Sequence, residues 1–387
     1  MPDIYTPEEM LARLVAFPTV SRDSNLPLIH FVRDYLAGHG VESALLPDAT
    51  GEKASLFAQI GPDVPGGVIL SGHTDVVPVD EQPWTTDPFT LTERDGLLYG
   101  RGAADMKGFV ALALAHVPDM LRAPLKRPIQ LALSYDEEVG CLAAGPLAAA
   151  MRDALPRAAA VFVGEPTQMQ VVTQHKGMLA MTTRVRGFEV HSSLVHTGVS
   201  AIMTAARLIE WHRLAMAENR AKAEPEGLFE PPYTTLHVGR IAGGTAHNIT
   251  ARDCWFPSDV RVLPTESLEH WRARYLAWCA EIEAENREIR PESRIDVEIR
   301  VQAAGCRREP PSEAAAETLA RSLTGDNAEH AVSYGTEAGY FQAAGYSTCI
   351  VGPGDIAQAH QPDEFISRAE LERGVAFMRR LIDHLTL

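Results

Sequence analysis

Short apolar runs alternate with amphipathic stretches over about the first 180 residues. Glu8–Phe17 and Leu26–Gly40 carry apolar side chains at helical spacing, the second closed by a glycine. Val68-Ile69-Leu70 predicts a short buried strand, and Lys107–Met120 predicts a helix with Asp105 just ahead of it. Ile129–Tyr135 reads as a second strand, followed by acidic residues and an alanine-rich helix. Ala158–Val163 reads as a third. This alternation predicts an α/β core: a mixed, largely parallel sheet with helices on both faces.

The pattern then changes. Leu179–Phe188 looks like a strand, Val199–Arg220 like a long helix, Tyr233–Arg240 and Trp255–Leu263 like two strands, Glu266–Arg287 like a charged helix and Ile295–Val301 like a last strand. That order predicts a small α+β sandwich of its own. Afterwards the first style returns, with Ser347–Val351 as a buried strand and Ser367–Leu385 as a closing helix. The expected organisation is a discontinuous catalytic domain, 1–178 and 303–387, interrupted by an inserted domain at 179–302. Ala221–Pro232, rich in Pro and Glu, reads as a loop.

The polar residues fall in a telling place. SGHTDVVP follows the first strand and carries His73 and Asp75; YGRGAADMKG sets Asp105 before a helix; DEEVG after the second strand brings Asp136, Glu137 and Glu138; Glu165 follows the third; GPGDIAQAHQPDE after the last carries His360. Open α/β sheets bind ligands at the carboxyl ends of their strands. A lone Asp before a helix is ordinarily an N-cap, and an acidic triplet is ordinarily a solvated turn. Imidazoles and carboxylates converging on one edge are costly unless a cation neutralises them. Mixed His and carboxylate donors without sulfur suit Zn²⁺, Co²⁺ or Mn²⁺ in a two-metal hydrolase.

Composition narrows the field. At 387 residues the chain is long for one core and suits two domains. Its 51 acidic against 35 basic residues give a net charge of −16, which repels phosphate backbones and anionic lipid and tolerates a cationic small substrate. Five scattered cysteines form no CxxC pair, so reduced thiols in a cytoplasmic protein are expected. The opening MPDIYTPEEM lacks a secretory pattern, and the uncharged run Ala338–Gly354 is short of a membrane span. No nucleic-acid or membrane partner is expected. There is no GxSxG elbow, GxxxxGK[ST] loop or GxGxxG fingerprint.

The segments SGHTDVVP, Trp84 with DPF, DGLLYGRGAADMKG, DEEVG, GEPT, HSS, AHNI and GPGDIAQAHQPDEFIS closely resemble the co-catalytic zinc metallopeptidases that include carboxypeptidase G, succinyl-diaminopimelate desuccinylase and acetylornithine deacetylase. LVAFPTVSRDSNLPLI, YGTEAGYF and AHQPDEF look most like the acetylornithine deacetylase branch. The resemblance implies two divalent ions per subunit, Zn²⁺ or Co²⁺, with His73, Asp105 and Glu165 at one, Glu138 and His360 at the other, and Asp105 shared. It implies Glu137 as general base and Asp75 as the carboxylate that orients His73. It also implies a homodimer built through the inserted domain, which serves as lid, with His191 reaching the partner's site to hold an oxyanion. The implied substrate is N-acetyl-L-ornithine, cleaved to acetate and ornithine in arginine biosynthesis. Another acyl-amino acid (acetylcitrulline, succinyl-diaminopimelate) or a dipeptide is the alternative, and a non-catalytic binding protein a third reading. Glu337 is a candidate for the substrate ammonium, Asn248 and Arg252 for its carbonyl and carboxylate, His175 and Lys176 weaker ones; Arg261 reads as a brace.

Overall fold

Helix Pro7–Val15 begins where Thr6 and Glu9 form a reciprocal capping box with Pro7 at the first turn. Helix Leu26–Gly38 is closed two residues past its end by Gly40, whose φ of 77° lets the Val41 N–H reach back to the Leu36 carbonyl. These boundaries are read from a computed structural model that describes residues 3–224 and 227–387.

The chain forms two compact units. The first comprises 1–174, 306–331 and 336–387, and the second 175–305 and 332–335. An eight-stranded mixed sheet runs in the order Ser43–Pro47, Ala54–Ile60, Ile129–Ser134, Val68–His73, Ala160–Val163, Thr348–Ile350, Val172–His175, His330–Val332. Its central pairings are parallel: Val68–His73 lies between Ile129–Ser134 and Ala160–Val163, and Ala160–Val163 also pairs with Thr348–Ile350. Strands buried on both faces need continuous apolar sequence, which is why Val68–Leu70 and Ile129–Leu133 read so clearly. Helices Pro7–Val15, Lys107–Ala115 and Arg368–His384 supply Leu11, Leu14, Phe109, Leu112, Phe377 and Leu381 to this core.

The second unit is an antiparallel sheet in the order Thr235–His237, Asp253–Val262, Gly177–Arg186, Arg294–Ala303, with Ala242–Gly243 paired to Asp253–Val262. Alternation along Gly177–Arg186 and Asp253–Val262 sends Leu179, Met181, Val185, Phe256 and Val260 inward against helices Ala201–Lys222 and Leu268–Ile289. The predicted fold class, a mixed α/β sheet plus an α+β unit, is the one observed.

Several local expectations change. Lys107–Met120 is two helices, Lys107–Ala115 and Val117–Arg122, because Pro118 opens a new helix and cannot continue the old one. Ala221 and Lys222 are the end of helix Ala201–Lys222 rather than loop, and Pro225 and Glu226 of the Pro- and Glu-rich stretch lie outside the described residues. A three-stranded sheet of Thr92–Arg94, Leu97–Tyr99 and Phe365–Ser367 was not foreseen. The five cysteines are free and buried. No helix among the described residues is long and apolar enough to cross a membrane.

Gly164 shows how tightly the carboxyl edge is packed. A Cβ there would lie 2.0 Å from the Phe109 ring, so only glycine lets Ala160–Val163 deliver Glu165 against helix Lys107–Ala115. Gly164→Ala should therefore lose about 1–3 kcal/mol of stability, the usual cost of overpacking. Denaturant melts of the metal-free protein would measure it, and an unchanged midpoint would mean that Phe109 yields freely.

Candidate metal centre

The last residue of central strand Val68–His73 is His73, which is fully buried. Its Nδ1 donates to the Asp75 main-chain oxygen at 2.9 Å, which turns Nε2 toward Asp105 Oδ1 at 3.0 Å and Glu165 Oε1 at 3.8 Å. On the far side of Asp105, His360 Nε2 stands 3.4 Å from Asp105 Oδ2 and 2.9 Å from Glu138 Oε2. The structure thus brings His73, Asp105, Glu138, Glu165 and His360 to one locus in the first unit, with Asp105 between the two imidazoles. Ligand atoms of His73, Asp105 and Glu138 lie within 4.8 Å of one another, as do those of His73, Glu137 and Glu165.

Local folding explains each placement. Asp105 is not an N-cap: the cap of helix Lys107–Ala115 is Met106, without a side-chain bond, and the Asp105 carboxylate faces the imidazoles instead. After strand Ile129–Ser134, Asp136 takes a left-handed φ of 56° and pairs with Lys53, leaving Glu137 and Glu138 to face the centre. Asp75 meets both the imidazole and the acidic turn. Its carboxylate is 3.7 Å from His73 Nδ1, and it accepts from Ser21 Oγ (2.7 Å) and from the main-chain N–H of Glu137 (3.2 Å) and Glu138 (3.3 Å). The Asp75 carbonyl accepts from the His73 ring, and its carboxylate lies between that ring and the two N–H groups of the acidic turn.

The electrostatics show strain of one sign. Burial pushes Glu165 and Glu137 well above the ordinary carboxylate range, reinforced by neighbouring acids, and brings Glu138 to about 7. Burial opposes protonation of His73, yet Asp105, Glu165 and Glu137 outweigh it and hold its pKa well above the imidazole value. Hydrogen bonds from its ring to the Asp105 and Glu138 carboxylates lift His360 to about 10. Glu165 Oε1 is buried with no hydrogen-bond partner among the described residues. An orphaned carboxylate oxygen among His and acid donors fits a divalent cation, and two ions fit the two sides of Asp105.

The remaining candidates stand outside this ligand set, with Glu337 still close enough to feel the charges of His73 and Glu137. Glu337, fully buried in the first unit, accepts from Ser71 Oγ at 3.1 Å, and its Oε1 has no hydrogen-bond partner within ordinary distance among the described residues. His191, Asn248 and Arg252 belong to the second unit and are exposed. His191 is bridged to Ile249, the Ser192 N–H bonds to the Asn248 carbonyl, and Arg252 pairs with Asp253. Lys176 is no free cation: its Nζ donates to the Pro231 and Tyr233 carbonyls, both at 2.7 Å. Buried His175 bonds to the Lys176 carbonyl, and Arg261 braces its own strand through Asp259 at 2.9 Å. Sequence reading passed over Cys141, whose thiol donates to Glu137 Oε1 at 3.2 Å, and over Arg101, Lys107 and Glu364. Lys107 Nζ is buried against the Phe17 carbonyl, and burial lowers its pKa to about 7. All but Cys141 lie within the motif stretches, which was the available signal.

A mixed, mostly parallel sheet with imidazoles and carboxylates gathered at its carboxyl edge, in a chain that also carries an inserted α+β unit, defines a metal-dependent hydrolase. The chain belongs to peptidase family M20/M25/M40, whose family model matches residues 69–384. It is 35% identical to an acetylornithine deacetylase of Proteus mirabilis over 98% of this chain and 96% of that protein. It is 37% identical to an acetylornithine deacetylase of Myxococcus xanthus over 97% and 96%. The fold is also that of an M20 family metallo-carboxypeptidase from Sulfolobus solfataricus, with a TM-score of 0.74 at 17% identity, covering 99% of this chain and all of the other.

Because a metal needs deprotonated ligands, its affinity should fall as the pH drops below about 10, where His360 takes up its proton, and further through about 7, where Glu138 does, and binding should release protons. Titrating metal-free protein with Zn²⁺ by calorimetry, in buffers of different ionisation enthalpy, measures both. An affinity independent of pH, with no proton released, would remove these carboxylates from the ligand set.

Proposed function

We propose that this hydrolase cleaves the amide bond of N-acetyl-L-ornithine to acetate and L-ornithine, as a cytoplasmic enzyme of arginine biosynthesis. The observation that carries the reading is the single cluster of His73, Asp105, Glu138, Glu165 and His360 with one further carboxylate, Glu137, beside it. The named activity of the relatives above supports the substrate.

In this reading His73, Asp105 and Glu165 hold one ion and Asp105, Glu138 and His360 the other, Zn²⁺ or Co²⁺. Bound there, the ions supply Lewis acidity toward the amide carbonyl and the attacking water. Glu137, partly exposed and held by the Cys141 thiol, takes the proton from water as its oxygen bonds to the acyl carbon. It then passes that proton to the nitrogen as the C–N bond breaks. Asp75 keeps Glu137 and Glu138 in their separate orientations through their main-chain N–H groups. The unpartnered Oε1 of Glu337 would receive the distal ammonium, while Asn248 and Arg252 would hold the substrate carbonyl and carboxylate. The inserted domain acts as lid and dimer contact, with His191 completing the partner's site as an oxyanion donor.

A panel of N-acetyl, N-formyl and N-succinyl amino acids and dipeptides, assayed with Zn²⁺ and Co²⁺, tests the substrate. Acetylornithine should lead, and Glu337→Gln should weaken it far more than neutral acetylated amino acids; equal losses would take Glu337 out of specificity. Glu137→Ala should keep both metals and lose about 10²–10⁴ in turnover, whereas Glu138→Ala should lose a metal. Metal analysis showing the reverse would sink the division of roles. For His191, a mixed dimer of His191→Ala and Glu137→Ala chains should regain activity through its one intact composite site. No recovery on mixing would place His191 within its own subunit or outside the reaction.

A further inference from the structure

We propose that Glu364 is a positioning residue whose buried ion pair with Arg101 ties the loop bearing Asp105 to the loop bearing His360, and so sets the geometry of the second ion. The proposal rests on the metal-centre reading above and adds to it two residues that touch neither ion nor substrate.

The pair is unusual enough to need a reason. Arg101 and Glu364 side chains are each 1% exposed, with Nη1 and Oε2 at 2.8 Å. A buried ion pair is often no better for stability than an apolar pair of the same size, because desolvation offsets the attraction. What an apolar pair could not do is accept hydrogen bonds. Glu364 Oε1 accepts the main-chain N–H of Ala104 at 2.9 Å and Asp105 at 3.0 Å, and Oε2 accepts that of Gly102 at 3.0 Å. The segment from Gly102 to Asp105 lies outside the strands and helices, and the N–H groups of Gly102, Ala104 and Asp105 all rest on this one carboxylate.

Arg101 carries the connection onward. Its Nη1 also donates to the Gln361 carbonyl at 3.2 Å, its Nη2 donates to Gln82 Oε1, and its guanidinium lies 5.0 Å over the Trp84 ring. Gln82 Nε2 in turn donates to the His360 carbonyl at 3.0 Å. Asp363 ties the same two segments through the Thr85 N–H at 2.8 Å and hydroxyl at 2.9 Å. A continuous path therefore links the Asp105 main chain to the His360 main chain through Glu364, Arg101 and Gln82. Each loop supplies one member of the ion pair and one side chain of the centre.

His360 is the residue that most needs such an anchor. Its side chain is 54% exposed, against 0% for His73 and 7% for Asp105, and its backbone is left-handed with φ of 63°. Packing does not fix it, so main-chain anchoring must.

The test uses metal-free chains titrated with Zn²⁺ by calorimetry. The parent should take up two equivalents. Gln82→Ala, which removes the link to the His360 carbonyl together with the bonds from Arg101 Nη2 and the Trp84 indole N–H but leaves the Glu364 contacts to Gly102, Ala104 and Asp105 in place, should leave one equivalent unchanged and weaken the other about 10–100-fold, the range for lost support behind a ligand. Glu364→Gln places an amide donor against main-chain donors and should weaken both, since Asp105 is shared. Leu323→Ala, a core truncation on helix Ala315–Thr324, should lower the melting temperature yet leave both affinities alone, separating positioning from general destabilisation. If Glu364→Gln fails to fold, Gln82→Ala decides alone. Should the parent bind two ions and Gln82→Ala bind both as tightly, the positioning role is overturned while the metal centre stands. A parent that binds none overturns the centre and this role with it.

Discussion

The repulsion among Asp105, Glu137, Glu138 and Glu165, brought out of water beside two imidazoles, is the constraint around which the first unit is arranged. Such a cluster is costly when each acid is ionised without a counter-charge. Without a cation, burial and mutual repulsion push Glu137, Glu138 and Glu165 upward, while the bonds between Asp105 and the two imidazoles hold Asp105 low and His73 and His360 high. A cation relieves the repulsion directly. The surrounding structure then reads as support for this one unfavourable grouping: a rigid parallel strand under His73, a glycine that admits Glu165, a carboxylate under the acidic turn and an ion pair behind Asp105.

That arrangement also separates roles among chemically similar groups. Glu137 and Glu138 are neighbours in sequence, yet Glu138 meets His360 while Glu137 meets the Cys141 thiol. Their difference comes from the turn started by Asp136 and held by Asp75, not from residue type. A chain can thus use adjacent glutamates for binding and for proton transfer when the backbone between them is fixed.

The sheet's central strands were legible because burial on both faces demands uninterrupted apolar runs, and the chemistry was legible because each acid or His follows such a run. Asp105 shows where local reading misleads: its position ahead of a helix resembles a cap, but its carboxylate is taken by partners distant in sequence. Lys107–Met120 broke at Pro118, a signal present but outweighed by the apolar spacing around it. Strands of three residues, such as Thr92–Arg94 and Phe365–Ser367, are too short for a period of two to register. The Arg101–Glu364 pair, 263 residues apart, left no local trace beyond its place inside two motif stretches. Substrate contacts were the least legible, since an isolated Asn, Arg or Glu carries no periodic signature.

The central claim is that one buried cluster is built to hold two cations that share Asp105. Anomalous diffraction from crystals loaded with Zn²⁺, recorded on both sides of the zinc edge, tests it most directly. The account predicts two anomalous peaks, one against His73 and Glu165 and the other against Glu138 and His360, with the Asp105 carboxylate between them. A single peak, or peaks away from Asp105, would contradict it.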